Sequence, residues 1–187
     1  MKREQGWKTM TSRLKADRAR LVLLLSYWRE GGGVGVYLHP SFICVVLYRM
    51  SRHFFQTGHS FLARLTGHFN ELLTGADISP ASDIDEGFVV LSPPGAAIYG
   101  KAGRNLTVMP CAGIGGEIGR RDDVGGGPGL PVLGDDVILE PHCGVLGPVK
   151  VGNRVRVGAG VLLTRDVPDD IIVEGPRPRL LARKHSS

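Results

Sequence analysis

The sequence predicts a mainly β fold, a coil of short stacked β-edges behind an N-terminal α-helical region, and three observations lead there. The first is a six-residue period from Leu133 to Val167. Leu133, Leu139, Val145, Val151, Val157 and Leu163 are all aliphatic, and the residues four places after each, Val137, Cys143, Val149, Val155, Val161 and Val167, are all small and apolar. A period held without a miss marks a repeat architecture, in which each unit buries its apolar side against the next. The second is composition: 27 glycines and 12 prolines in 187 residues, with no collagen period, suit a fold made largely of corners. The third is that helical spacing replaces the six-residue phase before Gly75.

In chain order, residues 1 to 11 read as a flexible lead-in. From Ser12 the stretch SRLKADRARLVLLLSYWRE has helical spacing, with Leu14, Leu21, Leu24 and Leu25 on related faces, and the glycines at 31 to 33 stop it. Pro40 opens a second helix, PSFICVVLYRMSRHFFQ, which breaks at Gly58; a third, HSFLARLTGHFNELLT, ends at a C′ glycine, Gly75. Both carry wide apolar faces, with Phe42, Val45, Val46, Tyr48 and Met50 on one and Phe61, Leu62, Leu65, Phe69, Leu72 and Leu73 on the other. Such faces need a partner, so the helices are expected to pack on each other, on the coil or on another subunit, capping the open end of the stack. His53, His59 and His68 lack metal-ligand spacing and read as surface or packing histidines; no metal is expected.

The six-residue phase begins at Ile78 and Ile84. It slips at LSPPGAA, Leu91 to Ala97, and resumes less regularly through Ile98, Val108 and Ile114. Between Gly115 and Pro131 it is broken by GGEIGRRDDVGGGPGLP, too long for a turn and too glycine-rich for an edge, which reads as an active-site flap. Gly134, Gly152 and Gly158 follow their aliphatic anchors, where a turning backbone needs a residue without Cβ strain. The organisation is a helical region over 1–76, a coil over 77–176 with the flap near 117–131, and a basic tail over 177–187.

The net charge of +5 and pI of about 9.4 favour anions in general, but much of the excess sits at the termini, so nucleic acid is not the expected partner. Cys44, Cys111 and Cys143 are odd in number and far apart, framing neither disulfides nor a zinc site, and they fit a reducing cytoplasm. Leu21 to Leu25 is too short to span a bilayer and has no cleavage motif after it, so neither membrane span nor signal peptide is expected.

Helices, then LTGADISPASDIDEG, then GG with a looped-out insertion, then LGPVKVGNRVRVGAGVLLTRDVP: over roughly residues 40 to 180 this order resembles the serine O-acetyltransferase family of hexapeptide-repeat acyltransferases. The resemblance implies a left-handed parallel β-helix, a homotrimer or a dimer of trimers paired through the helices. Acetyl-CoA would be the acyl substrate, lying in a groove between coils of adjacent subunits, with transfer to a small hydroxyl acceptor. A hydroxyl needs a positioned base to take its proton. The family supplies a carboxylate-oriented histidine in a DHATG motif, where this chain has LSPPG, with Leu91 at the aspartate and Ser92 at the histidine. The family's second histidine, in RHP, corresponds to the stretch Gly129, Leu130, Pro131.

Other positions are kept. Asp77, in ADISP, matches the aspartate that holds the acceptor or supports the base. Gly115 and Gly116 match the GG along which pantetheine lies, and Ala159 matches a small residue on the same groove. Glu140, Pro141 and His142 replace a small GAG, which puts His142 at the border of the CoA groove. GPRPR stands where the family has GxPAR, leaving Arg177 and Arg179 as CoA phosphate contacts. The expectation is an acyl-CoA-dependent O-acyltransferase with a non-standard site, Asp77, Ser92 and His142 serving the chemistry and Gly115, Gly116, His142, Ala159 and Arg179 serving CoA. The alternative is a catalytically inactive trimeric scaffold or regulatory relative. Docking to a cysteine synthase, which in the family resembles capture of a terminal isoleucine, is not predicted for a chain ending Lys184, His185, Ser186, Ser187.

Overall fold

The computed structural model describes residues 2 to 27 and 34 to 176. Three helices come first: α1 (Lys2–Tyr27), α2 (Pro40–Gln56) and α3 (Ser60–Thr74), with a 3-10 turn at Val34–Leu38 ahead of α2. The start of α2 is capped by His39, whose imidazole accepts the Ser41 N–H, and Pro40 occupies the first turn, where its missing N–H costs nothing. α3 ends at Gly75 in the left-handed region, φ 75°.

The lead-in expected over residues 1 to 11 is a correction, because α1 already runs from Lys2. The cause is tertiary. The Trp7 ring meets His53 edge-on with centroids 5.8 Å apart and Met10 is buried, so this segment docks although its own apolar pattern is thin. The glycines expected to stop the helix lie outside the described residues. α2 buries Phe42, Val45 and Tyr48 as its pattern predicts, whereas α3 turns Ala63, Asn70 and Thr74 inward and leaves Phe61, Leu65, Phe69 and Leu72 exposed in the single chain.

One buried ion pair ties helices to coil. Arg49 and Asp17, both almost fully buried, meet through Nε to Oδ2 at 2.9 Å and Nη2 to Oδ1 at 3.1 Å. Asp17 also accepts the Phe88 N–H at 2.8 Å, and Arg49 donates to the Asp85 carbonyl at 2.6 Å. Burial pushes the Asp17 carboxyl up against the pull of Arg49, so the pair depends on having every polar atom partnered.

From Asp77 onward the chain winds in strands of two or three residues, each paired in parallel with the strand one coil away, giving three faces. Inward residues stack in columns. Ile78, Ile98, Ile114, Val145 and Leu163 share the first face; Ile84, Ala102, Leu133 and Val151 the second; Val90, Val108, Leu139, Val157 and Val173 the third. All except Val173 are buried, and together they fill the interior of a left-handed parallel β-helix. The phase slips fall at corners: LSPPG lengthens the step between Val90 and Ile98, the step from Ile98 to Ala102 is shortened, and residues 116 to 131 leave the coil between Ile114 and Leu133.

The glycines after the aliphatic anchors have a reason other than the one the sequence suggested. A Cβ on Gly103, Gly134 or Gly152 would collide with Oδ1 of Asp135, Asn153 or Asp169 respectively, and for Gly134 that oxygen would stand at 2.6 Å. Those same oxygens accept backbone N–H groups from the coil above, of Arg104, Asp135 and Asn153, each at 2.8 Å. Close approach of the neighbouring coil, not a turning backbone, excludes a side chain there. Gly158 is likewise kept bare, by the Val173 carbonyl at 2.8 Å. Among the described residues no helix is long and apolar enough to cross a membrane.

Candidate active site

The outward residues of the first face, in register, are Asp77, Ala97, Gly113, Gly144 and Leu162. The middle three carry no more than a methyl group, so the face is hollowed into a trough. A cavity of about 460 Å³ occupies it, bordered by Tyr99, Gly115, Gly116, His142, Leu146 and Leu162. At Gly115 the position a Cβ would take is open, its nearest neighbour being Leu146 Cδ2 at 3.8 Å. Gly116 is backed by the insertion, where the Gly129 carbonyl and Leu130 Cδ2 would both stand 3.3 Å from a Cβ. The insertion holds its own shape: Asp123 Oδ1 accepts N–H groups from Gly125 and Gly127, and the Gly129 N–H donates to the Asp122 carbonyl.

His142 stands at the corner where the chain enters this face. Gly75, Gly95, Cys111, His142 and Gly160 stack there, all left-handed, with φ of 75°, 79°, 57°, 60° and 70°. Such a backbone costs a residue with a Cβ about 1 kcal/mol or more, so Cys111 and His142 hold positions that glycine fills more easily. The imidazole of His142 is exposed along the trough, while the His142 backbone N–H donates to the Pro110 carbonyl at 3.0 Å.

Asp77 extends the face by one more coil. The Tyr99 hydroxyl donates to Asp77 Oδ2, and both line a smaller cavity of about 140 Å³ whose other side is Arg64 and His68 of α3. Burial, then the hydrogen bond to Asp77 and the charges of Asp77 and Glu71, push the Tyr99 phenol up to about 12. Tyr99 borders both cavities, so they lie next to each other on this face with its side chain between them. Sequence reasoning missed Tyr99; His68, read there as a surface or packing histidine, is an exposed side chain at the cavity's edge. The available signal was Arg64 and His68 four residues apart on the helix that leads directly into Asp77.

The structure thus gathers Gly115, Gly116 and His142 in the trough and sets Asp77 at its adjoining end. Ser92 lies elsewhere within the chain. It is exposed, at φ 58°, on a separate cavity of about 580 Å³ that it shares with His39, Ser41, Leu73 and Pro93. Ala159 is exposed beyond the trough, its N–H donating to Glu140 Oε2 at 3.0 Å; Arg156 pairs with the same carboxylate, so Glu140 braces this corner. Cys143 is a packed thiol, pushed up to about 12 by burial and by Glu140. Arg177 and Arg179 lie outside the described residues. Among the described residues no group of three histidines, cysteines or carboxylates is placed to hold a metal ion.

Residues 131–165 match the family described as bacterial transferase hexapeptide (six repeats). Fold and repeat together define the class: this is a hexapeptide-repeat β-helix protein. In sequence the chain is similar to the serine acetyltransferase of Synechococcus elongatus, 29% identical over 150 residues that make up 78% of this chain and 58% of that protein. It is also similar to the serine acetyltransferase of Mycobacterium tuberculosis, 28% identical over 154 residues, 81% of this chain and 65% of that one. Its fold matches that of serine acetyltransferase isoform 3 from Entamoeba histolytica, solved in complex with cysteine, with a TM-score of 0.79 at 20% identity, covering 96% of this chain and 63% of the other. Within the hexapeptide-repeat class the chain is therefore serine acetyltransferase-like. It spans 58% and 65% of the length of the two relatives named.

Proposed function

We propose that the protein is an acyl-CoA-dependent O-acyltransferase of the serine acetyltransferase type, moving an acetyl or similar acyl group to a small hydroxyl acceptor. It acts in the cytoplasm as a homotrimer or a dimer of trimers. The observation that carries this reading is the two-part groove on the first face. A floor of Ala97, Gly113, Gly115 and Gly144 lets a thin pantetheine arm lie against backbone, whose polar groups can meet its amides, and the floor runs into a cavity suited to a small acceptor beside Asp77. Holding acceptor and thioester end to end supplies much of an acyl-transfer rate by itself.

In this reading Asp77 orients the acceptor, Gly115 and Gly116 flank the arm, His142 borders it, and Ala159 and Arg179 continue the contact toward the CoA phosphates. Ser92 takes part where a neighbouring subunit brings it to the groove. The second reading, a catalytically inactive trimeric scaffold or regulatory relative, is favoured by Leu91 and Ser92 in LSPPG, and it predicts no turnover, with or without CoA binding. Release of free thiol from acetyl-CoA, followed against a panel of hydroxyl and amine acceptors alongside calorimetric CoA binding, decides between them. Binding with turnover supports the enzyme; neither binding nor turnover with any acceptor ends the enzyme reading and leaves the scaffold.

A further inference from the structure

We infer that His68 of α3 is the general base of this site, with Glu71 as its positioning carboxylate and Arg64 as the seat for an anionic group on the acceptor. The inference rests on the acyltransferase reading. Arg64, His68 and Glu71 recur at steps of four and three residues, which places them on one face of α3. Arg64 and His68 form the wall of the small cavity opposite Asp77 and Tyr99. His68 Nδ1 stands 3.7 Å from Glu71 Oε2, an ionic rather than hydrogen-bonding distance, with both side chains exposed on one face of the helix.

The other groups in the cavity are unsuited to the task. The Tyr99 hydroxyl is committed as a donor to Asp77, and its phenol is pushed up to about 12 by burial and the neighbouring carboxylates. Asp77 receives that hydrogen bond. An imidazole is the side-chain type that exchanges protons near neutral pH, and here it is exposed on the acceptor side of the groove. The charged and titratable groups facing it are Arg64 and Glu71 from its own helix and Asp77 and Tyr99 from the coil. Arg64 makes no ion pair with any described residue, so its charge is available to an acceptor's carboxylate.

With Nδ1 turned toward Glu71, Nε2 is the basic nitrogen. The acceptor's O–H proton passes to Nε2 as the oxygen's electron pair bonds the thioester carbonyl carbon. The C–S bond then breaks with its pair on sulfur, and the proton returns from Nε2 to the thiolate, leaving an ester and free thiol. Glu71 and Asp77 stabilise the imidazolium in between.

The test uses the full chain with acetyl-CoA and two matched acceptors, glycerate, which carries a carboxylate, and glycerol, which does not. His68→Ala is expected to lower thiol release by about 10²- to 10⁴-fold without changing acetyl-CoA affinity. Glu71→Gln lowers kcat while leaving KM for both acceptors unchanged, and Arg64→Ala raises KM for glycerate at least tenfold while leaving glycerol unchanged. All three side chains are exposed, so the variants should melt like the wild type, and His59→Ala serves as the histidine control. Turnover by His68→Ala within twofold of wild type overturns the inference and leaves the acyltransferase reading in place. A wild-type protein that neither binds CoA nor releases thiol overturns that reading and the inference with it.

Discussion

The corner between the second and third faces and the groove along the first face are built from the same coils, yet they treat polar groups in opposite ways. At the corner, from Arg104 to Asp170, charged groups are answered by the neighbouring coil. Arg104 meets Asp135 at 2.8 Å, Asn105 donates to Asp136 at 2.8 Å, Asn153 to Asp169 at 3.0 Å, and Arg154 to Asp170 at 2.8 Å. Along the groove the floor is bare, the His142 ring is exposed, and Arg64 has no ion-pair partner among the described residues. Groups that satisfy one another hold the stack together, whereas groups left open on a hollowed face are available to a ligand.

Two glycines put this contrast to its strongest test. Gly134→Ala at the corner would set a methyl 2.6 Å from Asn153 Oδ1 and 2.8 Å from the Gly152 carbonyl carbon, and it should cost about 1–3 kcal/mol in urea unfolding. Gly115→Ala in the groove meets nothing nearer than 3.8 Å and should stay within about 0.5 kcal/mol of wild type. Equal losses would erase the distinction between corner and groove.

The corner should also respond to acid. Hydrogen bonds from Arg104, Asn153 and Arg154 hold the carboxyls of Asp135, Asp169 and Asp170 below their usual range. A depressed native pKa stabilises the fold fully above the ordinary carboxylate value near 4 and loses that stability as pH falls through the native values. Melting temperature should therefore fall slightly below about pH 4, the groups being open to solvent, and the fall should be shallower in Arg104→Ala combined with Arg154→Ala. Unchanged steepness would show the ladder contributes nothing.

The smallest effect concerns His142. His142→Gly relieves a left-handed backbone and should gain about 1 kcal/mol. If the imidazole serves the groove, acetyl-CoA affinity falls in the same variant, so stability and binding move in opposite directions. A gain in stability with binding intact assigns His142 to the corner alone.

The columns of the β-helix were legible because a period of six with inward aliphatics leaves few alternatives, and α2 was legible from Pro40 to Gln56 because a proline opens it and its apolar face is continuous. What was not legible depends on contacts distant in sequence. α1 begins at Lys2 because Trp7 and Met10 dock on the rest of the protein, which no local pattern records. Gly134 and Gly152 are glycine because of oxygens belonging to the next coil. Tyr99 falls within the shortened step between Ile98 and Ala102, outside the six-residue phase, and Arg64 and His68 meet it only because α3 docks beside the first coil.

The most direct test of the groove is a calorimetric titration of acetyl-CoA into wild type and Gly115→Phe, a variant that fills the trough where a Cβ has room. Saturable binding by the wild type and its loss in a variant that still melts normally is the predicted result. Equal binding by both proteins would place acetyl-CoA somewhere other than the first face.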